Sequence, residues 1–442
     1  MHSLKEIQLK CNKQFIINFD GGELSSDGGL LMIKEFLHAL GFEKLLKDGF
    51  KTNDSARFRI HKDEENLLQM IYQILGTYYE DHCADELRHD PVLAATLGKE
   101  ALASQPTLSR FFNRMDDDTL RQFDEMMCQL RKKIYSIKMP EFVLFDIDTT
   151  LLPTYGKQEG EGFNYHYQAH GYHPLLCYDG LTGDLIRAQL RDGTDYCSKD
   201  SAAFMAPVIA EYRKNYPDIQ LYARGDSGFA TPELYDLFED TGVKYAIRLK
   251  INSTLLSLAQ KKAEELAKVT RFNMIDYAVT YGEFFYQASS WREPRRVVFK
   301  IEKPYNQMTY MYTFIVTNME ELGHWQVLDY YCNRGRMENF IGEGKQGFDF
   351  ASVSSKSKIV NANRLQLHAL VYNIFNWFRR LVLPKHMNKS LIDTVRLKLL
   401  KIATKVVHTG RYIKFKLCSS CPYKEEVFET FNNIWTLARQ LE

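Results

Sequence analysis

Three acidic residues far apart in the chain invite a chemical reading. Asp148 closes the run Phe142-Val-Leu-Phe-Asp-Ile-Asp-Thr-Thr150, Asp226 closes Ile219-Gln-Leu-Tyr-Ala-Arg-Gly-Asp, and Glu338 lies in a segment of helical texture. Strand ends of an α/β sheet are where ligand sites form. Carboxylates gathered there repel unless hard cations sit between them, so the trio predicts oxygen-ligated Mg²⁺, with Mn²⁺ as the alternative. Two such ions ~3.5–4 Å apart activate an attacking oxygen and stabilise the leaving oxygen of an in-line phosphoryl displacement. Asp146 shares a strand face with Asp148 by the two-residue period, so the first ligand is one or the other, and the Thr149-Thr150 context favours Asp148.

The surroundings of Glu338 are more specific than the acid itself. Tyr331, Arg334, Glu338 and Lys345 stand at offsets 0, 3, 7 and 14 in Tyr331-Cys-Asn-Arg-Gly-Arg-Met-Glu-Asn-Phe-Ile-Gly-Glu-Gly-Lys345. At about 100° per residue they fall within roughly 60° of arc on one helix. One stripe then presents a carboxylate flanked by two cations and a phenol, which suits a phosphate backbone laid along it. Gly342 and Gly344 are positions where that helix could end early.

Elements must bring these residues together, and the composition permits it. The 442 residues are 45% hydrophobic, enough for two or three domains with real cores. Disorder, collagen-like repeats and a disulfide mini-scaffold are excluded. Eight scattered cysteines, of which only Cys418 and Cys421 form a CxxC, indicate a reduced, cytoplasmic setting rather than a disulfide framework. The opening Met1-His-Ser-Leu-Lys-Glu-Ile lacks a secretory pattern, and Leu367 to Leu383 is interrupted by polar and charged residues, so no membrane span is expected.

Residues 1–138 read as an N-terminal helical domain: Leu67, Leu68, Ile71, Ile74 and Leu75 recur at helical spacing behind Lys62-Asp-Glu-Glu-Asn. Within it, Ser104-Gln-Pro-Thr-Leu-Ser-Arg-Phe-Phe-Asn-Arg114 predicts a capped helix offering Gln105, Thr107, Ser109, Arg110 and Arg114 to DNA, or an ordinary surface helix. Residues 139–252 read as β-β-β-α-β-α-β, a mixed sheet with helices. Residues 253–320 read as a β-rich insertion that opens with a Lys/Glu-rich helix from Leu258 to Val269, 321–384 return to helix with Glu338, and 385–442 form a basic, helical C-terminal region for DNA contact or dimerisation.

Lys plus Arg number 57 against 56 Asp plus Glu, yet residues 355–416 hold fourteen cations and a single acid, Asp393. Such a stretch is the footprint of a polyanion-binding face, with nucleic acid as the economical partner and a solvated helical surface as the bland alternative. Arg379 and Arg380, in the helix at 361–383, are assigned to DNA on this ground.

The Tyr-x2-Arg-x3-Glu-x6-Lys spacing resembles the signature of one group of bacterial DDE insertion-sequence transposases. Asp148-Thr-Thr is similar to their first-acid motif and Arg224-Gly-Asp226-Ser-Gly-Phe to their second, with Gly156-Lys-Gln-Glu-Gly160 and Gly171-Tyr-His-Pro-Leu in keeping. The resemblance spans nearly the whole chain. It implies an RNase H-like catalytic domain, commonly with a β-rich insertion before the last acid, and the long interval from Asp226 to Glu338 accords with one. It further implies that Asp148, Asp226 and Glu338 bind two Mg²⁺ ions, that water cuts each transposon end, and that the freed 3′-hydroxyl attacks, with excision through a hairpin. Tyr331, Arg334 and Lys345 match positions that hold terminal phosphates. Terminal inverted repeats and target DNA are the implied partners, a homodimer the implied assembly, and the bacterial nucleoid the implied location. Trp291, inside the insertion, offers a face for an unpaired base or is a core residue.

Two other readings stand beside this one. Asp146-Ile-Asp148-Thr-Thr150 fits the Asp-x-Asp-x-Thr motif of haloacid-dehalogenase-like phosphatases, with Asp146 as nucleophile, but Ala230 and Thr231 stand where a partner acid is expected after Asp226. A DNA-binding relative without catalysis keeps the basic stretch and discards the acids. Cys418 and Cys421 lack a second metal-binding pair nearby and are read as free thiols. His166, His170 and His173 either line the site or serve structure.

Overall fold

The computed structural model describes residues 6–56, 58–272, 276–305, 307 and 309–441. Most of the segment read against a secretory leader, Met1–Lys5, lies outside them. The chain divides into two compact units, one of residues 1–137, 346–352 and 366–442, the other of residues 138–345 and 353–365.

The first unit opens with a hairpin of β1 (Glu6–Gln8) and β2 (Ile16–Asn18), a short β3 (Leu24–Ser25), and helices α1 (Leu30–Ala39), α2 (Phe42–Gly49), α3 (Asp63–Leu75), α4 (Cys83–Glu86), α5 (Pro91–Thr96), α6 (Gln105–Phe112) and α7 (Asp117–Ile137). Local chemistry sets their limits. Three acids fill the first turn of α3, where the helix dipole favours them, and the Glu65 side chain accepts the Lys62 N–H at 2.9 Å. Asp90 accepts from Val92 and Leu93 ahead of α5, with Pro91 in its first turn.

The second unit is built on β4 (Phe142–Thr149), β5 (Leu152–Pro153), β6 (Gly162–Asn164), β7 (Ala169–Tyr172), β8 (Leu175–Asp179), β9 (Leu185–Gln189), α8 (Ser201–Asn215), β10 (Gln220–Gly225), α9 (Pro232–Asp240), β11 (Lys244–Arg248), α10 (Ser253–Phe272), β12 (Ala278–Tyr286), β13 (Arg295–Lys303), β14 (Met311–Thr317), α11 (His324–Cys332) and α12 (Arg336–Gly347). Its main sheet has eight strands in the order β12-β13-β14-β11-β10-β4-β8-β9. β4, β10 and β11 run parallel, and the other pairings are antiparallel. Helices cover both faces. Phe145 meets Tyr212 of α8 on one side, and Arg224 meets Tyr330 of α11 on the other. The segment read as a β-rich insertion opens with the expected helix, here 20 residues long, and its strands continue the main sheet, β14 pairing with β11.

α13 (Lys358–Leu381), α14 (Ile392–Val395), β15 (Thr404–His408), β16 (Ile413–Leu417) and α15 (Lys424–Leu441) complete the chain. The C-terminal region is therefore not all helix. β15 and β16 form a hairpin joined to β3, because Thr-Lys-Val-Val-His is rich in β-branched residues and Ile-Lys-Phe-Lys-Leu alternates apolar side chains with lysine. Among the described residues no helix is long and apolar enough to cross a membrane.

One buried ion pair sets the register at the centre of the main sheet. In the parallel pairing Arg224 lies opposite Asp146, and both side chains are sealed from water, 2% and 0% exposed. Arg224 Nε and Nη2 donate to Asp146 Oδ1 and Oδ2, each at 2.7 Å, and Nη1 donates to the Tyr330 carbonyl at 2.7 Å. Gly180 is held to glycine here, since a Cβ would stand 2.2 Å from Asp146 Oδ2. Removing one partner strands a buried charge. Arg224→Met should lower the unfolding free energy by about 3–5 kcal/mol in a urea titration. Asp146→Leu combined with Arg224→Met should recover most of that loss.

Candidate active site

The register that pairs Asp146 with Arg224 carries two residues further to the strand ends. Asp148 follows Asp146 on the same face of β4, and Asp226 comes just after the last register pair, Gly225 opposite Ile147, so the two acids stand at the ends of neighbouring strands, near enough for the Asp226 charge to act on Asp148. Asp148 Oδ1 accepts the Thr149 N–H at 2.8 Å. Asp226 Oδ1 accepts the Gly228 N–H at 2.8 Å and caps a short 3₁₀ turn, Ser227–Phe229. Burial pushes the Asp148 carboxyl up to about 6, with the Asp226 charge adding to the rise and Arg334 opposing it.

Arg334 supplies the counter-charge. Its Nη2 lies 2.8 Å from Asp148 Oδ2 and donates to the Ile147 carbonyl at 3.1 Å. Burial works against this cation, but Asp148, Asp226, Tyr331 and Asp146 outweigh it and hold it above its ordinary pKa. Its Nε is buried with no acceptor among the described residues. Tyr331, at the end of α11, feels the charges of Arg334, Asp226 and Asp148, while burial raises its phenol. Lys345 Nζ lies 3.4 Å from Thr150 Oγ1, its pKa lowered by burial.

The predicted single helical stripe is not continuous. A 3₁₀ turn at Asn333–Gly335 separates α11 from α12; it turns Arg334 inward and leaves Glu338 exposed on the first turn of α12. The helix then runs through Gly342 and Gly344 to Gly347. Among the described residues no three His, Cys, Asp or Glu side chains lie close enough to hold a metal ion together. Two of the three predicted acids are thus gathered, with an arginine between them and the helix. Two neighbouring carboxylates, one resisting ionisation, are a fitting partial donor set for a hard divalent cation. Glu338 stands two turns before Lys345, on the same side of α12.

Other predicted residues lie elsewhere. Arg110 is exposed on α6, whereas Arg114 is drawn inward to Asp63 at 2.8 Å and Thr52 at 3.0 Å. Arg379 is buried, donating to Asn376 Oδ1 and the Ser390 carbonyl, so its cation is committed inside the first unit and is not a DNA contact. Arg380, its neighbour, is half-buried. Trp291 is only 7% exposed. It packs edge-on against Tyr235 and Tyr286 beneath the Arg295 guanidinium, so the structural alternative is the one observed. Asp146, fully buried and paired with Arg224, has no approach for a phosphate, which removes the phosphatase nucleophile. His173 is buried with Nδ1 2.8 Å from the Asp195 carbonyl, and His170 meets Glu161 at 3.0 Å. Cys418 and Cys421 are free thiols.

Sequence reasoning missed Tyr167. Its hydroxyl donates to the Thr149 carbonyl at 3.3 Å, and its phenol is raised by burial and then by the charge of Asp148. Only its place between His166 and His173, in the segment after the first acid, signalled it. The Asp146–Arg224 pair was equally hidden, because the two residues are distant in the chain and drew notice only as parts of motifs.

No curated protein matches this chain. A cryo-EM structure of a piggyBac transposase synaptic complex with hairpin DNA is similar over 93% of this chain and 85% of that one, at 13% identity and a TM-score of 0.40. The family described as transposase DDE domain group 1 matches residues 7–439. The chain belongs to that family and is a transposase.

Proposed function

We propose that this transposase cuts and rejoins DNA at the terminal repeats of an insertion sequence, using Asp148, Asp226 and Glu338 to hold two Mg²⁺ ions. The observation that carries the reading is the parallel register of β4 and β10, which sets Asp148 beside Asp226 with Arg334 bonded to the first. The strand order β9-β8-β4-β10-β11, with β4, β10 and β11 parallel and β8 and β9 antiparallel, supports an RNase H-like catalytic core. When bound, the cations would activate the attacking oxygen and stabilise the leaving one.

The chain's own groups supply position. Arg334 grips a non-bridging phosphate oxygen through the donors it now gives to Asp148, and its buried Nε is a further donor. Lys345 places a point charge beside the same strand end, and the Tyr331 phenol, close enough to feel the Arg334 charge, joins them in holding the terminal phosphate. Glu338 joins the two aspartates as α12 settles against DNA. Water cuts one strand at the transposon end, and the freed 3′-hydroxyl attacks the phosphodiester of the opposite strand, closing a hairpin as the flanking strand leaves with its own 3′-hydroxyl; two copies of the chain hold the two ends.

The test is cleavage of a duplex carrying the ends that flank the coding region, with Mg²⁺ or Mn²⁺. Asp148→Asn, Asp226→Asn and Glu338→Gln should each reduce cleavage by roughly 100-fold or more, the scale of losing one charge-stabilising group. Cleavage surviving all three changes would end this reading.

The raised Asp148 carboxyl carries a stability signature with a definite sign. Its folded midpoint of about 6 lies above the ordinary 3.8, so the folded state binds this proton more tightly than the unfolded chain. The stabilisation is full below 3.8 and is lost as pH rises through about 6. In chelator, Asp148→Asn should therefore exceed the wild type in unfolding free energy above pH 6, by up to about 3 kcal/mol. The difference should vanish in denaturant titrations below the ordinary carboxyl pKa.

A further inference from the structure

The basic stretch at 355–416 divides sharply in the folded chain. Arg364, Arg379 and Arg396 are buried. Arg396 donates to the Ile74 and Leu75 carbonyls at the end of α3, Lys401 pairs with Asp27 at 2.7 Å, and Lys358 pairs with Asp192. These cations serve the fold, and a duplex cannot reach the buried ones.

The β15–β16 hairpin is different. Thr404, Val406 and His408 share one face with Leu417, Phe415 and Ile413, while Lys405 and Val407 share the other with Lys416 and Lys414. The second face carries three exposed lysines and no acid. Lys405 stands directly opposite Lys416, and like charges so placed destabilise a hairpin unless an anion lies over them. The turn beyond is fixed. The Thr409 hydroxyl donates to the Tyr412 carbonyl at 2.8 Å and accepts the Tyr412 N–H at 3.1 Å, which holds exposed Arg411 and the 62%-exposed Tyr412 at the tip. Glu23 lies 3.6 Å from His408, on the opposite face of the hairpin.

We infer that the lysine face of this hairpin, Lys405, Lys414 and Lys416 with Arg411 at its tip, is a docking surface for the phosphate backbone of duplex DNA. The inference rests on the reading of the chain as a transposase acting on DNA. Lysines on a pleated face read charge and spacing rather than sequence, so the surface gives affinity without base preference. An uncompensated like-charge pair in a well-formed hairpin is a feature kept for binding at some expense in stability.

The experiment compares salt dependence. Fluorescence-anisotropy titrations of the full chain with a duplex of arbitrary sequence give the slope of log affinity against log salt. Combining Lys405→Gln, Lys414→Gln and Lys416→Gln should flatten that slope by roughly 2–3, at about 0.9 for each phosphate that is no longer neutralised. An unchanged slope in a variant that still cleaves transposon ends overturns the hairpin assignment alone. A wild type that binds no duplex at any salt overturns the DNA-acting reading, and the inference with it. Lys416→Glu supplies the second arm, because it turns the like pair into an opposite one. It should hold or raise the thermal midpoint while flattening the slope, whereas a fall in both would assign these lysines to folding and overturn the inference.

Discussion

The parallel alignment of β4 with β10, locked by Arg224 on Asp146, is the constraint from which the rest of the site follows. A salt bridge sealed from water stabilises little by itself, since desolvation offsets most of its attraction. Its value here is positional. With Arg224 opposite Asp146, Asp148 and Asp226 have no choice but to meet at the strand ends, where their charges repel. The same guanidinium donates to the Tyr330 carbonyl, fixing the end of α11 over this face. The next turn then delivers Arg334 to Asp148. One buried side chain therefore determines both the repulsion and the cation that relieves it.

Formal charge conceals how the chain spends its cations. The molecule is nearly neutral overall, but three of the arginines in its basic stretch are interior structural groups, and Arg295 in the second unit is another, bonded to Glu239 and Asp236 of α9. Arginine suits this work because its planar fork satisfies several acceptors at once and stacks on rings. The lysines of the β15–β16 hairpin remain at the surface, where a compact hydrated charge loses little. Counting charge along a sequence cannot separate these two populations, and only burial does.

Much of the main sheet was legible because its signals are local. The apolar run ending in acids at 142–149 and the run from Ile219 that closes on Asp226 each name their strand through short-range chemistry. The gathering of Asp148, Arg334 and Lys345 was also legible in outline, since strand ends and spacing along one segment pointed the same way. What escaped was long-range. The break at Asn333–Gly335 lies inside a sequence that scans as continuous helix, and packing decides it. Trp291 looked available until Tyr235, Tyr286 and Arg295 closed around it, and Arg379 until Asn376 and Ser390 claimed its donors. The alternation in Ile413-Lys-Phe-Lys-Leu417 carries a strand signal, but the surrounding density of lysine and arginine led to the helical expectation that β15 and β16 overturn.

The proposed function makes Asp148 and Asp226 a cation seat that the neighbouring Arg334 screens. Manganese titration of the DNA-free protein, followed by electron paramagnetic resonance, tests it most directly. With the competing guanidinium gone, Arg334→Met should bind Mn²⁺ roughly ten-fold more tightly than the wild type, and Asp148→Asn should abolish that binding. An affinity indifferent to Arg334, or Mn²⁺ bound equally well without the Asp148 carboxylate, would contradict the account.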